Sequence, residues 1–475
     1  MILKKNNVWT ASFLALFLGA VPASALSFDD DKDEDKSEES EDEEEEDKWF
    51  AAVGGDVYDG LGGVLRGATV LAKNGQIEEI GYDVYIPEDA ETLDVTGYQV
   101  RPGLVSAESS GLLGGSSDLE DSVDPFSRSM VLGLGSGVTS TIQSNQAAKL
   151  KRGEIEGIVM NPKVFTSFTY KNSDPKGKRD LEEKFAQASE YLRKYRQWQV
   201  DVKKDKELKE PSKKGVDGST LEVLLGTTWA KFASDDRGDL LGIARLAQKY
   251  GFRPVIEGCG EGWTVADELG RAGAFAIVTP RYRRTKSELV TRDGGSSIEN
   301  AAILHNAGVQ VAIVPRTKGI SLGGIVGQDM MHLPVEAGFA IRGGLPEQAA
   351  LDAITMVPAR LMRAAHRVGS IEVGKDCDLI VTDGDVLHYQ TFVQWAVVDG
   401  KVVYDKEDEL FFAHIRPRPE AELAPETKLD AGESEDEDDD DDDDGDEDDD
   451  DEGEEEDEDD DDDDGEEDDD DDDDD

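Results

Sequence analysis

Val100-Arg101-Pro102-Gly103-Leu104-Val105-Ser106-Ala107-Glu108-Ser109-Ser110-Gly111 is the stretch whose reading decides the fold. Pro102-Gly103 punctuates the chain just ahead of a short, mostly apolar run, and such a run between turn signals reads as a buried strand. Its far end delivers Glu108, Ser109 and Ser110 to a loop. In a (β/α) barrel the chemistry sits at the carboxyl ends of the strands. The stretch is therefore read as the first strand of a barrel, entered from a small β region.

Upstream, short strands are predicted at Trp49–Val53, Val64–Ala72, Ile77–Ile80 and Glu91–Val100, with Asn74-Gly75 as a hairpin signal. Downstream, a strand is predicted at Gly137–Ile142 and a helix over Gln146–Lys151. Leu181, Phe185, Ala188, Leu192 and Tyr195 form one apolar stripe on a helix over Asp180–Val200. Helices Gly238–Tyr250, Trp263–Ala272 and Ile298–Ala307 then alternate with strands Arg253–Glu257, Ala274–Thr279 and Val309–Val314. Such alternation argues for parallel βα units. A helix over Pro346–Ala365 should break at Pro358. β patterning returns from Val368 to Tyr404, with a hairpin turn at Asp399-Gly400, to close a sandwich begun at Trp49.

The fold class that follows is α/β: a (β/α)8 TIM-type barrel over 101–366, a composite β-sandwich from 49–100 and 367–412, and acidic termini that composition predicts to be disordered. Of 109 acidic residues, 15 lie in Asp29–Asp47 and 40 in Asp430–Asp475, so the net charge of −59 belongs mainly to the 26–48 linker and the 413–475 tail. Met1–Ala25 has Lys4-Lys5, an apolar run and Ala23-Ser24-Ala25, the parts of a secretory signal, which predicts an exported, periplasmic or extracellular protein. The run is too short for a bilayer core of about 30 Å, so no membrane attachment is expected after cleavage. The negative charge disfavours nucleic acid. Cys259 and Cys377 are read as two separate buried thiols.

Pro102-Gly103-Leu104-Val105, Gly135-Ser136-Gly137-Val138-Thr139-Ser140-Thr141, and the ending Ala349–Arg360 followed by Val368–Val381 together resemble the amidohydrolase superfamily, imidazolonepropionase-like group, over roughly 55–405. The resemblance implies metal-assisted hydrolysis of non-peptide C–N bonds, with one or two divalent ions such as zinc acidifying a bound water. It also implies histidines on strands 1, 5 and 6 and an aspartate on strand 8. Here Glu108 and Ser110 stand on strand 1, Ala233 on strand 5 (Trp229–Asp235), Gly258 on strand 6 (Val255–Cys259) and Arg316 on strand 8. The five histidines begin only at His305. No catalytic residue, metal ligand or cofactor is therefore assigned. The expectation is a degenerate member whose mouth, with Glu108, Ser110, Glu257 and Arg316, holds a small polar ligand or serves as a scaffold.

Two alternatives stand beside it. One is an active hydrolase with a carboxylate-based metal site drawn from Glu108, Glu257, Glu261, Asp235, Asp236 and Asp239. The other is an interaction protein whose polyacidic tail gathers divalent cations or a basic partner. His332 is the one histidine read as near the mouth; His305, His366, His388 and His414 are read as structural or exposed.

Overall fold

The chain is described from a computed structural model that covers residues 47–115, 118–286, 291–321 and 327–409. The signal and tail readings, most of the acidic linker and His414 lie outside these residues. Strands β1 (Trp49–Tyr58), β2 (Val64–Lys73), β3 (Gln76–Gly81), β4 (Glu91–Asp94) and β5 (Gln99–Pro102) precede the barrel. Next come β6 (Leu104–Ser109), β7 (Val138–Gln143), β8 (Gln146–Lys149), β9 (Val159–Asn161) and β10 (Phe165–Phe168). They are followed by β11 (Trp229–Ser234), β12 (Pro254–Gly258), β13 (Phe275–Val278) and β14 (Gln310–Ile313). β15 (Leu379–Thr382), β16 (Val393–Val398) and β17 (Lys401–Asp405) complete the set.

The parallel strands do not form one closed eight-stranded cylinder. β10 to β14 make a five-stranded parallel sheet, while β6 and β7 pair in parallel within a second sheet that β8 and β9 extend antiparallel. Individual residues join the two sheets. Asn145, at φ +67°, accepts from the Phe165 N–H through Oδ1 at 2.7 Å and donates from Nδ2 to the Phe165 carbonyl at 2.9 Å, so its side chain bridges the β7–β8 turn to β10. On the other side Val105 N–H donates to Ile354 and Ile313 N–H to Ala353, and this short segment replaces a regular eighth strand. Gln146–Lys149, expected as helix, is strand β8: Asn145 turns the chain back along β7 before a helical turn can start.

Alternation along each strand separates two cores. Phe275 and Ile277 join Val105, Ala107, Ile142 and Val255 inside the ring, whereas Ala276 and Val278 join the helix layer. The apolar stripe Leu181, Phe185, Ala188 and Leu192 is buried on the helix Pro175–Asp201. The helix expected over Pro346–Ala365 breaks at 353–355, ahead of Pro358, because that segment is the stave between β14 and β6. Pro358 then falls in the first turn of the helix Met356–Met362, where its missing N–H costs little.

The expected sandwich is a single sheet, in the order β17-β16-β15-β5-β1-β2-β3, with β4 on β1. β15 pairs with β5, so the C-terminal flank locks onto the strand that enters the barrel. Asn74 at φ +51° and Gly75 at φ +82° make the left-handed turn between β2 and β3. The sheet curls until the Cys377 N–H reaches the Gly75 carbonyl at 2.8 Å. Residues 371–376, expected as strand, form this closing loop. The barrel and the sheet share a core: Leu379 and Val381 face the curled sheet, while Ile380, Val398 and Tyr404 join the barrel's helix layer. Both belong to one compact unit.

Lys149, fully buried, stands between them. Its Nζ meets Asp376 at 2.6 Å, Asp378 at 2.9 Å and Asp399 at 2.5 Å. Lys151 neutralises Asp399 from outside at 2.7 Å, and Arg367 reaches Asp376 at 2.8 Å. Burial works against the ammonium, but Asp378, Asp399 and Asp376 outweigh it and hold Lys149 above the ordinary lysine range.

Candidate site at the barrel mouth

Counted from β6, the parallel strand Trp229–Ser234 is the fourth and Pro254–Gly258 the fifth, one earlier than expected from the sequence. The register sets which residues reach the lumen. On β11, Ala230 and Phe232 pack under the helices, so Trp229, Lys231 and Ala233 face inward. On β12, Val255 lies in the inner core, and Glu257, two residues on, faces the same way.

Four side chains converge there. Glu108 from the end of β6 contacts Lys231 through Oε1 and Lys318 through Oε2. Glu257 meets Lys231 through Oε2 at 2.9 Å and Lys318 through Oε1. Every carboxylate oxygen is engaged, and each ammonium touches both glutamates; Glu108 Oε2 meets Lys318 as an ion pair without hydrogen-bond angles. Lys231 Nζ also lies 5.1 Å from the Phe165 ring centroid. The square is graded in depth: Glu108 and Lys231 are 9% and 18% exposed, Glu257 and Lys318 29% and 32%.

Two glutamates and two lysines make a neutral square, and its surroundings favour the charged forms of Glu257 and Lys318. Burial pushes the Glu257 carboxyl up, but Lys318 and Lys231 outweigh it and hold it at about 2. Burial likewise works against the Lys318 ammonium, yet Glu108 and Glu257 hold it above its ordinary value. A proton shuttle at neutral pH needs a group that titrates near the working pH, and neither of these does.

The other expected site residues stay outside the square. Ser110 is exposed, and its N–H donates to the Lys318 carbonyl at 2.9 Å, which fixes the loop carrying Lys318. Ala233 is exposed above Lys231 and offers no donor. Gly258 has φ +91°, and a Cβ there would lie 2.6 Å from Asp235 Oδ1, so no imidazole fits at that position. Arg316 is exposed, with no ion-pair partner among the described residues; Lys318, two residues on, is the one that reaches the square.

The remaining candidate carboxylates are spent on loop backbone. Asp235 accepts from Gly260 N–H at 2.8 Å, and Asp236 caps the helix Arg237–Tyr250. Asp239 accepts from Asn172 N–H at 2.6 Å and Glu261 from Gly295 N–H at 2.8 Å. Among the described residues no group of three or more His, Cys, Asp or Glu stands close enough to hold an ion. The donor set at the mouth does not fit the divalent ions that the resemblance implies. Protonated lysines have no lone pair to give, and both glutamates already neutralise two cations.

His332 holds Asp329 at 2.7 Å through Nδ1, and His305, His366 and His388 are exposed. Cys259 and Cys377 are both buried and free.

A family model described as the amidohydrolase family matches residues 110–409. The crystal structure of an amidohydrolase from Thermotoga maritima MSB8 is similar at a TM-score of 0.59 and 22% identity, over 75% of this chain and 100% of that one. At that identity the likeness bears on the fold. Amidohydrolase tasK of Hapsidospora irregularis is 30% identical over 95 residues, 20% of this chain and 10% of that protein. The chain thus spans about a tenth of that relative's length.

Proposed function

From the premise that this chain belongs to the amidohydrolase family, we propose that its barrel mouth has exchanged metal-assisted hydrolysis for recognition of a small carboxylate ligand. The observation that carries this reading is the closed square of Glu108, Lys231, Glu257 and Lys318. The two ammonium groups supply the positive charge that would otherwise come from ions, so an entering cation would have to displace one of them. Arg316 follows β14, and Arg283 and Arg292 follow β13; none of the three has an ion-pair partner among the described residues. A guanidinium on such a loop suits the two oxygens of a carboxylate.

The test joins two measurements. After dialysis against zinc and manganese, the protein should retain no stoichiometric metal and should not turn over lactams, acyl-ureas or amino-acid amides. Calorimetry with acetate and succinate should show binding that Arg316→Gln weakens about tenfold, the equivalent of ~1.4 kcal/mol. A firmly held ion together with turnover would replace this reading with that of a working hydrolase. The export signal and the acidic tail extend the proposal: an exported protein whose tail gathers divalent cations or a basic partner, checked by Ca²⁺ calorimetry with and without residues 430–475.

A further inference from the structure

A recess of about 200 Å³ opens between the helix Arg128–Gly135, the start of the helix Leu333–Arg342 and the loop from β15 to β16. It shares no residue with the ion square. Leu132, Val335, Val386 and Phe392 make its wall apolar. Most polar groups on the wall are turned to their own backbone: Ser136 Oγ donates to Gly133 at 2.7 Å, Thr382 Oγ1 to Gly384 at 2.8 Å and Thr391 Oγ1 to Asp385 at 2.6 Å.

His332, His388 and Tyr389 stand at the rim side of the wall, and Tyr404 is the deeply placed polar group. It is only 2% exposed, it lines the recess, and its hydroxyl has no hydrogen-bond partner among the described residues. Its ring lies so close over Gly135 that a Cβ there would be 3.0 Å from the phenol oxygen, so the backbone leaves the hydroxyl no room on that side. The hydroxyl opens onto the recess, where an acceptor on an occupant can take its proton. Cavities of about 150 Å³ with apolar walls admit benzene, so the space here suits a single ring with a substituent. Charge narrows the class further. No lysine, arginine, aspartate or glutamate is among the described residues that line the recess, so its wall offers no fixed countercharge to a charged ligand, and burial, with Glu409 and Asp405 nearby, pushes the Tyr404 phenol up, so it remains a donor.

We propose that this recess binds a compact, neutral, monocyclic aromatic molecule carrying one oxygen acceptor, with the ring between Leu132, Val335 and Phe392 and the oxygen accepting the hydrogen bond of Tyr404. The site is separate from the mouth in place and in chemistry: an uncharged ring here, a carboxylate there.

Phenol and benzene are the probes, titrated into the full chain and followed by calorimetry and ligand-observed NMR. Wild type binds phenol saturably at one site. Tyr404→Phe weakens phenol about tenfold and leaves benzene unchanged, and Leu132→Trp, which fills the recess, removes both. The melting temperature of Tyr404→Phe stays level, because the hydroxyl has no protein partner to lose among the described residues. Absence of saturable phenol binding by folded protein, equal effects of Tyr404→Phe on phenol and benzene, or binding that survives Leu132→Trp would overturn the assignment. So would a clear fall in the melting temperature of Tyr404→Phe, since the hydroxyl would then have a protein partner.

Discussion

The mouth and the junction each set lysine against carboxylates, in opposite surroundings. At the junction Lys149 is buried among Asp376, Asp378 and Asp399, with Lys151 and Arg367 completing three cations against three anions. At the mouth two lysines and two glutamates form an equally neutral group, but Glu257 and Lys318 remain about a third exposed. A buried charge that loses its partner cannot recover hydration, whereas a charge at the rim can. The junction is therefore a structural clamp between barrel and sheet. The mouth, with solvent at hand, can exchange partners with a ligand at modest cost.

The largest expected effect belongs to the clamp. Lys149→Met leaves Asp376 and Asp378 short of a cation in the interior and should cost about 3–5 kcal/mol in denaturant unfolding. A loss no larger than that of a mouth variant would break the comparison. The clamp also sets an alkaline limit. Because the folded-state value of Lys149 is raised above 10.5, its contribution is complete below that pH and is lost as pH climbs through the raised value. A stability profile into the alkaline range should show this limb in wild type and lack it in Lys149→Met.

Gly258→Ala tests whether backbone rather than charge keeps the mouth in shape. The left-handed φ and the approach of Asp235 should cost about 1–3 kcal/mol, read by thermal unfolding. Smallest is Glu257→Gln, at about 1 kcal/mol once solvent screening is allowed for. Its pH signature is sharper than its size. The Glu257 carboxyl is held at about 2 against an ordinary 4.5, so its stabilisation is present above pH 4.5 and lost as pH falls towards 2. The variant should lack that part of the acid limb; an unchanged limb would place the acid sensitivity elsewhere.

The alternation of β12, β13 and β14 with their helices could be read from the chain because each strand carries its own apolar pattern. Asn145 could not, since its role as a bridge depends on a turn and a strand 20 residues apart meeting in space. Lys231 does carry a signal in the sequence: a lone charge inside Trp229-Ala230-Lys231-Phe232-Ala233 asks for a buried partner. Counted as the fifth strand, the same segment offers Ala233 instead. Lys318 left none, because loop lysines are commonplace and it is backbone bonds from Ser110, and to Gln328 and from Met330 on either side, that carry it to the mouth.

By itself, the sequence determined that the chain builds parallel βα units flanked by β strands, and that none of its five histidines precedes His305. Both are properties of residue type and local period. Tertiary structure alone decided that Glu108, Lys231, Glu257 and Lys318 meet, that Lys149 is enclosed by three aspartates, and that Tyr404 faces an open recess. Each joins residues far apart in the chain, and side-chain direction and strand register, not composition, bring them within reach.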